Sequence, residues 1–189
     1  MNDTVIYLVR HAQSDFSVRE EMLRPLTSKG WEDRLKVTEC LRGEAIEAIY
    51  SSPYKRALDT IRDFAEEKGL PITEVAELRE RSAGNEWVTQ EEFWRRERSS
   101  WEDLSLKFAG EESIGEVQAR IRPVSDRICT ENIGRKIAVA GHGTAFCVLL
   151  HSFDSAFGFA EYHKLCLRNP WIIKLIFGEG KLISREELL

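Results

Sequence analysis

The sequence lacks the features of a secreted or membrane-bound chain. The apolar run near its start, Val5 to Val9, is too short for the core of a signal peptide or for a membrane span, and no basic residue precedes it. The four cysteines form no C-x-x-C pair, and a chain of 189 residues can build a core without disulfides. We therefore expect free thiols and a cytoplasmic location.

Internal repeats, low-complexity tracts and linkers rich in Pro, Gly or Ser are also missing. With 42% hydrophobic and 31% charged residues, residues 1–189 have the composition expected of a single soluble domain. The formal net charge of −5 argues against nucleic acid or an anionic membrane as partner, because both require a basic face. A small basic pocket for one phosphate is compatible with that charge. The oligomeric state stays open.

Alternating strand and helix patterns predict a layered α/β domain with a mostly parallel sheet. Strands are predicted at residues 5–9, 45–50, 72–78 and 136–140, with an edge hairpin at 171–177 and 181–184. Helices are predicted at residues 31–41, from 53 to Gly69, at 112–129, and from 143 through 150. Ser52 is the expected N-cap of the helix that starts at Pro53.

Residues 84–110 combine aromatic side chains with a run of charges and differ from the rest of the chain. We expect them to form a helical excursion, a small cap over one end of the sheet. Tryptophans pack in cores more often than they contact substrates. Trp87 is the one that we expect near a ligand pocket.

Polar side chains follow the predicted parallel strands. They are Arg10 and His11, then Ser51 to Arg56, then Glu80, then His142. Ligands of such sheets bind beyond the carboxyl ends of the strands, so these side chains should form one site. Taken singly, each has a commoner explanation as a solvated loop or turn residue. That explanation would have to hold at four strand ends at once.

This set of side chains suits phosphoryl transfer. Arginine binds two equatorial phosphoryl oxygens at once, a role for Arg10 and Arg56, and neutral His11 can attack phosphorus without an activating base. A backbone carbonyl should fix its tautomer. His142 could bind the transferring group as a cation. Glu80 could protonate the leaving oxygen if burial raises its pKa toward neutrality.

The ordered motifs resemble the histidine phosphatase superfamily, also called the phosphoglycerate-mutase-like family. The motifs that carry the resemblance are Leu8 to Ser14, Leu26 to Gly30, Ser51 to Ala57 with Thr60, Glu77 to Arg81 with Gly84, Gly110 to Ser113 with Glu116, and Ala140 to Gly143. The resemblance implies a three-layer αβα sandwich. It implies His11 as phosphate acceptor and Glu80 as proton donor. Substrate binding then falls to Arg10, His11, Ser17, Arg56, His142 and Gly143. Two residues depart from the family pattern, with Ala12 at a usual glycine and Ser17 at an asparagine that touches phosphate in many members.

Hydrolysis of a small phosphate ester, without a cofactor or metal, is the function that we expect. A mutase remains an alternative, although family mutases are longer and carry a proline-rich stretch in the excursion, where residues 84–110 have no proline. A non-catalytic module that binds a phospho-ligand or a protein is the second alternative. A metal enzyme fits less well, since His151 and His163 are not at ligand spacing with other candidate ligands. No motif specifies the substrate.

Overall fold

The computed structural model describes residues 3–82, 84 and 88–189 of the chain. In this part of the chain, strands and helices alternate as predicted. The strands are β1 (Thr4–Arg10), β2 (Ala48–Ser51), β3 (Ile72–Glu74), β4 (Lys136–Gly141), β5 (Trp171–Gly178) and β6 (Lys181–Glu187). The helices are α1 (Ser28–Arg42), α2 (Lys55–Lys68), α3 (Gln90–Glu102), α4 (Ile114–Glu131), α5 (Gly143–Phe153) and α6 (Phe159–Cys166). Within the described ranges, no helix has the length and apolar character needed to cross a membrane.

The strands form one sheet in the order β3-β2-β4-β1-β5-β6. The pairs β1–β4, β4–β2 and β2–β3 are parallel, whereas β5 runs antiparallel to β1 and to β6. The predicted mostly parallel sheet and its edge hairpin are therefore confirmed. In the β1–β4 pair Arg10 stands opposite Gly141, so the two central strands end level with each other.

The side chains of β1 alternate between the two faces of the sheet, as the two-residue period of a strand requires. Tyr7 and Val9 belong to the core under α1 and α2, which supply Val37 and Phe64 to it. Ile6 and Leu8 belong to the opposite core. That second core includes residues of α4, α5 and α6, among them Ile121, Phe146 and Leu165. The three-layer αβα sandwich is confirmed.

Two local predictions are wrong, and one helix was missed. The strand predicted at residues 72–78 ends at Glu74, and a short 3-10 helix follows at Ala76–Leu78, where Val75 and Leu78 are buried three residues apart. Ser52 does not cap α2, which begins at Lys55; a residue before proline favours extended backbone. Helix α6 was not predicted, because it is only eight residues long and its N-cap residue, Gly158, has no side chain to mark the start of a helix.

The excursion at residues 84–110 contains one helix among its described residues, α3, so the helical cap is confirmed there. Thr89 caps α3 by accepting a hydrogen bond from the backbone N–H of Glu92. Trp101, near its C-terminal end, is buried in the core with Tyr162. Trp87 lies outside the described residues.

Gly30 holds the start of α1 against the segment that follows β1. A Cβ at this position would lie 2.1 Å from the backbone carbonyl oxygen of Gln13. The same oxygen accepts a hydrogen bond from the N–H of Thr27, the N-cap residue of α1. The Gly30 position therefore requires the absence of a side chain so that residues 12–14, next to His11, can take their observed path.

We expect Gly30→Ala to lower the free energy of unfolding by about 1–3 kcal/mol, the usual cost of overpacking a close contact. Urea denaturation monitored by circular dichroism would measure it. Gly43→Ala is the matched control, because a Cβ there has no atom within 4 Å. Equal effects of the two substitutions would show that the contact with Gln13 is not the cause.

Candidate active site

The ends of the three neighbouring parallel strands bring the predicted residues together. The backbone N–H of His11 donates to the carbonyl of Gly141 (3.0 Å), and that of Ser52 donates to the carbonyl of Ala140 (2.9 Å). The residues that follow β1, β2 and β4 therefore start at the same edge of the sheet. The rings of His11 and His142 meet there edge to face, with their centroids 5.3 Å apart.

A cleft of about 390 Å³ opens at this edge. Arg10, His11, Arg56 and Glu80 line it, whereas His142 and Gly143 are buried beneath its wall. Ser17 is exposed, is not part of the lining, and donates its N–H to the carboxylate of Asp15. The structure thus brings together the predicted residues except Ser17, whose short side chain does not reach the cleft. The remaining lining residues are Ser14, Phe16, Glu21, Arg24, Arg81, Phe93, Trp94, Glu97, Thr144, Tyr162, Cys166 and Asn169.

His11 is held as a neutral imidazole with one nitrogen toward Arg56. Its Nδ1 lies 2.7 Å from the backbone carbonyl oxygen of Ala12, so Nδ1 carries the proton and donates it. Its Nε2 then has the lone pair and accepts from Nε of Arg56 at 3.2 Å. Burial, followed by the charges of Arg56 and Arg10, lowers the pKa of His11 well below 6.5. Both the tautomer and the charge state therefore suit a nucleophile.

Ala12 replaces a residue that is usually glycine in the resembled family. Its backbone N–H donates to Oγ1 of Thr60 (2.9 Å), and its side chain is fully buried. Within the described part of the chain, Glu179 is the non-glycine residue with positive φ, so the backbone of Ala12 is in a region open to any residue. The substitution is accommodated without strain.

His142 is fully buried and also neutral. Its Nε2 lies 2.8 Å from Oγ of Ser52, and its Nδ1 has no hydrogen-bond partner among the described residues. Burial and the charges of Arg56, His11 and Arg10 lower its pKa well below 6.5. His142 is therefore neutral in this structure, and its role as a cation on the transferring group stays a prediction. A buried polar atom without a partner is costly, so a ligand oxygen would be a favourable partner for Nδ1.

Arg10 is anchored at the C-terminal end of α6. Its Nη1 donates to the carbonyls of Leu165 (2.8 Å), Cys166 (3.0 Å) and Arg168. These carbonyls carry the negative end of the helix dipole, which stabilises a cation there. Nε of Arg10 is buried without a partner in the described residues. A Cβ on Gly143 would lie 2.9 Å from this Nε, so glycine allows the guanidinium to lie against the start of α5.

Arg56 is 2% exposed and makes three hydrogen bonds inside the cleft. Besides the bond to His11, its Nη1 donates to the backbone carbonyl of Glu21 (2.6 Å) and its Nη2 to the Glu21 carboxylate (2.8 Å). Sequence reasoning missed Glu21 and its neighbour Arg24. Both lie in a charged loop between β1 and α1, where alternating charges indicate only a solvated segment.

Glu80 accepts hydrogen bonds from backbone groups at the start of α5. Its carboxylate oxygens accept from the N–H of Thr144 (3.1 Å), of Ala145 (2.9 Å) and of Arg81 (2.9 Å). A helix N-terminus is a favourable place for a carboxylate anion. Glu80 is half-buried and lines the cleft, so its carboxylate is held at the start of α5 within reach of a ligand.

Glu112 connects the two ends of the excursion. Its backbone N–H donates to the carbonyl of Ser82 (3.0 Å), and its carboxylate accepts from the N–H of Ser82 (3.0 Å). Arg79 and Arg120 donate to the same carboxylate, and Arg120 also donates to the carbonyl of Glu80. Burial raises the pKa of Glu112, but these donors outweigh it and the pKa is lowered. Glu112 is therefore a poor alternative proton donor.

Aromatic side chains of the cap form one wall of the cleft. Phe93 and Trp94 of α3 are half-buried lining residues, packed edge to face with centroids 4.9 Å apart. Tyr162 of α6 lies beside Trp94, with the two ring centroids 6.3 Å apart. Trp94 packs against the core and also lines the cleft, so whether it contacts a substrate stays a prediction. In the described ranges, no group of three or more His, Cys, Asp or Glu side chains is placed to hold a metal ion.

A family model described as "Histidine phosphatase superfamily (branch 1)" matches residues 6–186. The chain belongs to the histidine phosphatase superfamily. It is 26% identical over 190 residues to the probable phosphoglycerate mutase GpmB of Salmonella choleraesuis, an alignment that covers 95% of this chain and 87% of that relative.

Solved structures of the superfamily share the fold. A mycobacterial glucosyl-3-phosphoglycerate phosphatase superimposes with a TM-score of 0.75 at 21% identity, covering 98% of this chain and 97% of that one. A phosphoserine phosphatase variant from Entamoeba histolytica gives 0.77 at 24% identity, with 96% of each chain covered. A phosphoglycerate mutase from Bacillus anthracis gives 0.77 at 21% identity, covering 98% and 92%. Proteins named as phosphatases and proteins named as mutases therefore share this architecture.

The two buried histidines at this edge of the sheet predict a loss of stability in mild acid. Their pKa values in the folded protein lie well below 6.5, so only the unfolded chain takes up protons as the pH falls through 6.5. The unfolded state then binds more protons, and the free energy of unfolding falls by up to about 1.4 kcal/mol per pH unit for each histidine.

Urea denaturation at several pH values would measure this dependence. The His142→Asn variant should lose the part of the slope that begins near pH 6.5 and belongs to His142. Carboxylates with lowered pKa values take up protons in more acidic solution. They are present in both proteins, so their contribution cancels when the two pH slopes of the free energy of unfolding are subtracted. Identical slopes in the two proteins would contradict the neutral, buried state of His142.

Proposed function

We propose that this protein hydrolyses a phosphate monoester through a phosphohistidine intermediate on His11. Membership of the histidine phosphatase superfamily supports phosphatase or mutase activity in general. The observation that carries the proposal is the state of His11. Its Nδ1–H is fixed on the Ala12 carbonyl, its Nε2 lone pair is directed to Arg56, and its pKa is lowered.

In the first step, Nε2 of His11 attacks phosphorus as the bond from phosphorus to the leaving oxygen breaks. Arg10 and Arg56 stabilise the charge on the equatorial oxygens, and Nδ1 of His142 supplies a further polar contact. The leaving oxygen needs a proton, for which Glu80 is the proposed donor.

In the second step, water attacks phosphorus and the bond to His11 breaks. Glu80, now a carboxylate, accepts the proton of the water molecule, which returns the site to its starting state. The two steps release an alcohol and inorganic phosphate. The required positive charge comes from arginine side chains, so we propose that the reaction is independent of metal ions.

Hydrolysis is favoured over a mutase reaction by the excursion at residues 84–110. Mutases of the resembled family are longer chains with a proline-rich stretch in this excursion, whereas residues 84–110 have no proline. Among its described residues, one helix, α3, supplies the lining residues Phe93, Trp94 and Glu97. Loop content sets function within one fold, so this difference supports a phosphatase.

We expect labelled phosphate to be trapped on His11 during turnover. Phosphohistidine is acid-sensitive and base-stable, so rapid quenching in base followed by peptide mapping would locate it. The His11→Asn variant should carry no label, while the His151→Asn control, whose imidazole lies outside the cleft, should be labelled normally. The assay should give the same result in EDTA. Label on a serine, or activity that requires added zinc or magnesium, would refute the mechanism.

We expect Glu80→Gln to slow the hydrolysis of alkyl phosphates by roughly 10²–10⁴-fold, the range for a positioned general acid. p-Nitrophenyl phosphate should be much less affected, because p-nitrophenolate leaves without a proton. Comparison of kcat/KM for the two substrates isolates proton donation from phosphate binding. Glu112→Gln is the control and should not discriminate between them. Equal losses in Glu80→Gln would indicate that Glu80 only supports the start of α5.

A further inference from the structure

One carboxylate joins two arginines inside the cleft. Glu21 Oε2 accepts from Nη2 of Arg56 at 2.8 Å, and Glu21 Oε1 lies 2.9 Å from Nη1 of Arg24. Arg56 also contacts the nucleophilic nitrogen of His11. The carboxylate therefore occupies guanidinium donors beside the atom that would attack phosphorus.

Arg24 is built into the cleft rather than attached to its rim. It is 7% exposed, its Nε donates to the backbone carbonyl of Val18 (2.9 Å), and its guanidinium lies over the ring of Phe16 (4.6 Å). Its charge is close enough to His11 to contribute to the lowered pKa of that imidazole. A buried guanidinium needs a compensating anion, and in this structure Glu21 is the anion paired with Arg24.

We propose that Arg24 is a third phosphate-binding arginine and that Glu21 is an internal anion which the phosphate group of the substrate displaces. The proposal rests on the proposed function, because it concerns the same phosphate site. The two oxygens of a carboxylate and the three terminal oxygens of a phosphate ester can each bridge two guanidinium groups. The phosphate dianion offers more acceptor oxygens and more negative charge than the carboxylate. When the substrate binds, Arg24 and Arg56 exchange the Glu21 carboxylate for the phosphate group.

The displacement requires movement of the Glu21 side chain and leaves the loop in place. The loop backbone is tied to α2, because Nη1 of Arg56 donates to the Glu21 carbonyl and the N–H of Lys55 donates to the carbonyl of Met22 (2.8 Å). The Glu21 side chain itself is 44% exposed and has a path into solvent. Its departure frees Nη2 of Arg56 and Nη1 of Arg24 together.

Arg24 can also provide the phosphate contact from this loop that Ser17 does not provide. In many members of the resembled family an asparagine at that position touches the phosphate, whereas Ser17 here is exposed and does not line the cleft. Arg24, seven residues further along the same loop, does line it. The phosphate site of this chain therefore receives its contact from this loop through a charged side chain in place of a neutral amide.

Affinity for inorganic phosphate, measured by isothermal titration calorimetry, tests the proposal without turnover. Glu21→Gln removes the competing charge, and we expect its Kd for phosphate to fall roughly tenfold. Arg24→Gln removes a charged donor, and we expect its Kd to rise about tenfold or more. Arg24→Lys keeps the positive charge, and we expect its Kd for phosphate to lie between those of the native chain and Arg24→Gln. If Arg24→Gln does not fold, the comparison of Arg24→Lys with the native chain still tests the assignment. Thermal unfolding of each variant reports on folding.

The exposed pair Arg42 and Glu67 provides the matched controls, since it has the same chemistry outside the cleft. Arg42→Gln and Glu67→Gln should leave the Kd for phosphate unchanged. Weaker or unchanged binding in Glu21→Gln would overturn the displacement, and unchanged binding in Arg24→Gln would overturn the third-arginine assignment. If the native chain binds phosphate with these variant effects but turns over no ester, the proposed function fails while this inference stands.

Discussion

The pairing of β1 with β4 is the constraint on which the site depends. Because Arg10 stands opposite Gly141 in parallel register, His11 and His142 both leave the sheet at the same level. A shift of one residue would turn the side chains of β1 to the other face and separate these two imidazoles. The core enforces this register, since Tyr7 and Val9 must face α1 and α2 while Ile6 and Leu8 face the opposite helices.

Positive charge at this edge of the sheet has two consequences. Burial and the arginines lower the pKa of both histidines, which keeps their imidazoles unprotonated. The same guanidinium groups suit the charge of a phosphate ester, the substrate that we propose. A protein with a net charge of −5 therefore concentrates cations at this edge of the sheet. Glu21 and the carbonyls at the end of α6 keep these cations paired beforehand.

Much of the fold and part of the site could be predicted from the sequence, because buried parallel strands leave continuous apolar runs and their ends must share an edge. This logic found Arg10, His11, Arg56, Glu80 and His142. It could not find Glu21 or Arg24, since the path of a loop depends on tertiary hydrogen bonds such as that from Lys55 to Met22. It also failed for β3, where an edge position and a three-residue apolar spacing ended the strand early.

The hydrogen-bonded closure between Ser82 and Glu112 gives the cap a degree of modularity. Both ends of the excursion meet at this point, and Arg120 ties the same point to the backbone of Glu80. Insertions, deletions or grafted segments between these two residues can therefore change the aromatic wall of the cleft while His11 and the strand ends around it stay in place. Ser82 and Glu112, joined by two hydrogen bonds, therefore mark the two points between which the cap can be exchanged during evolution.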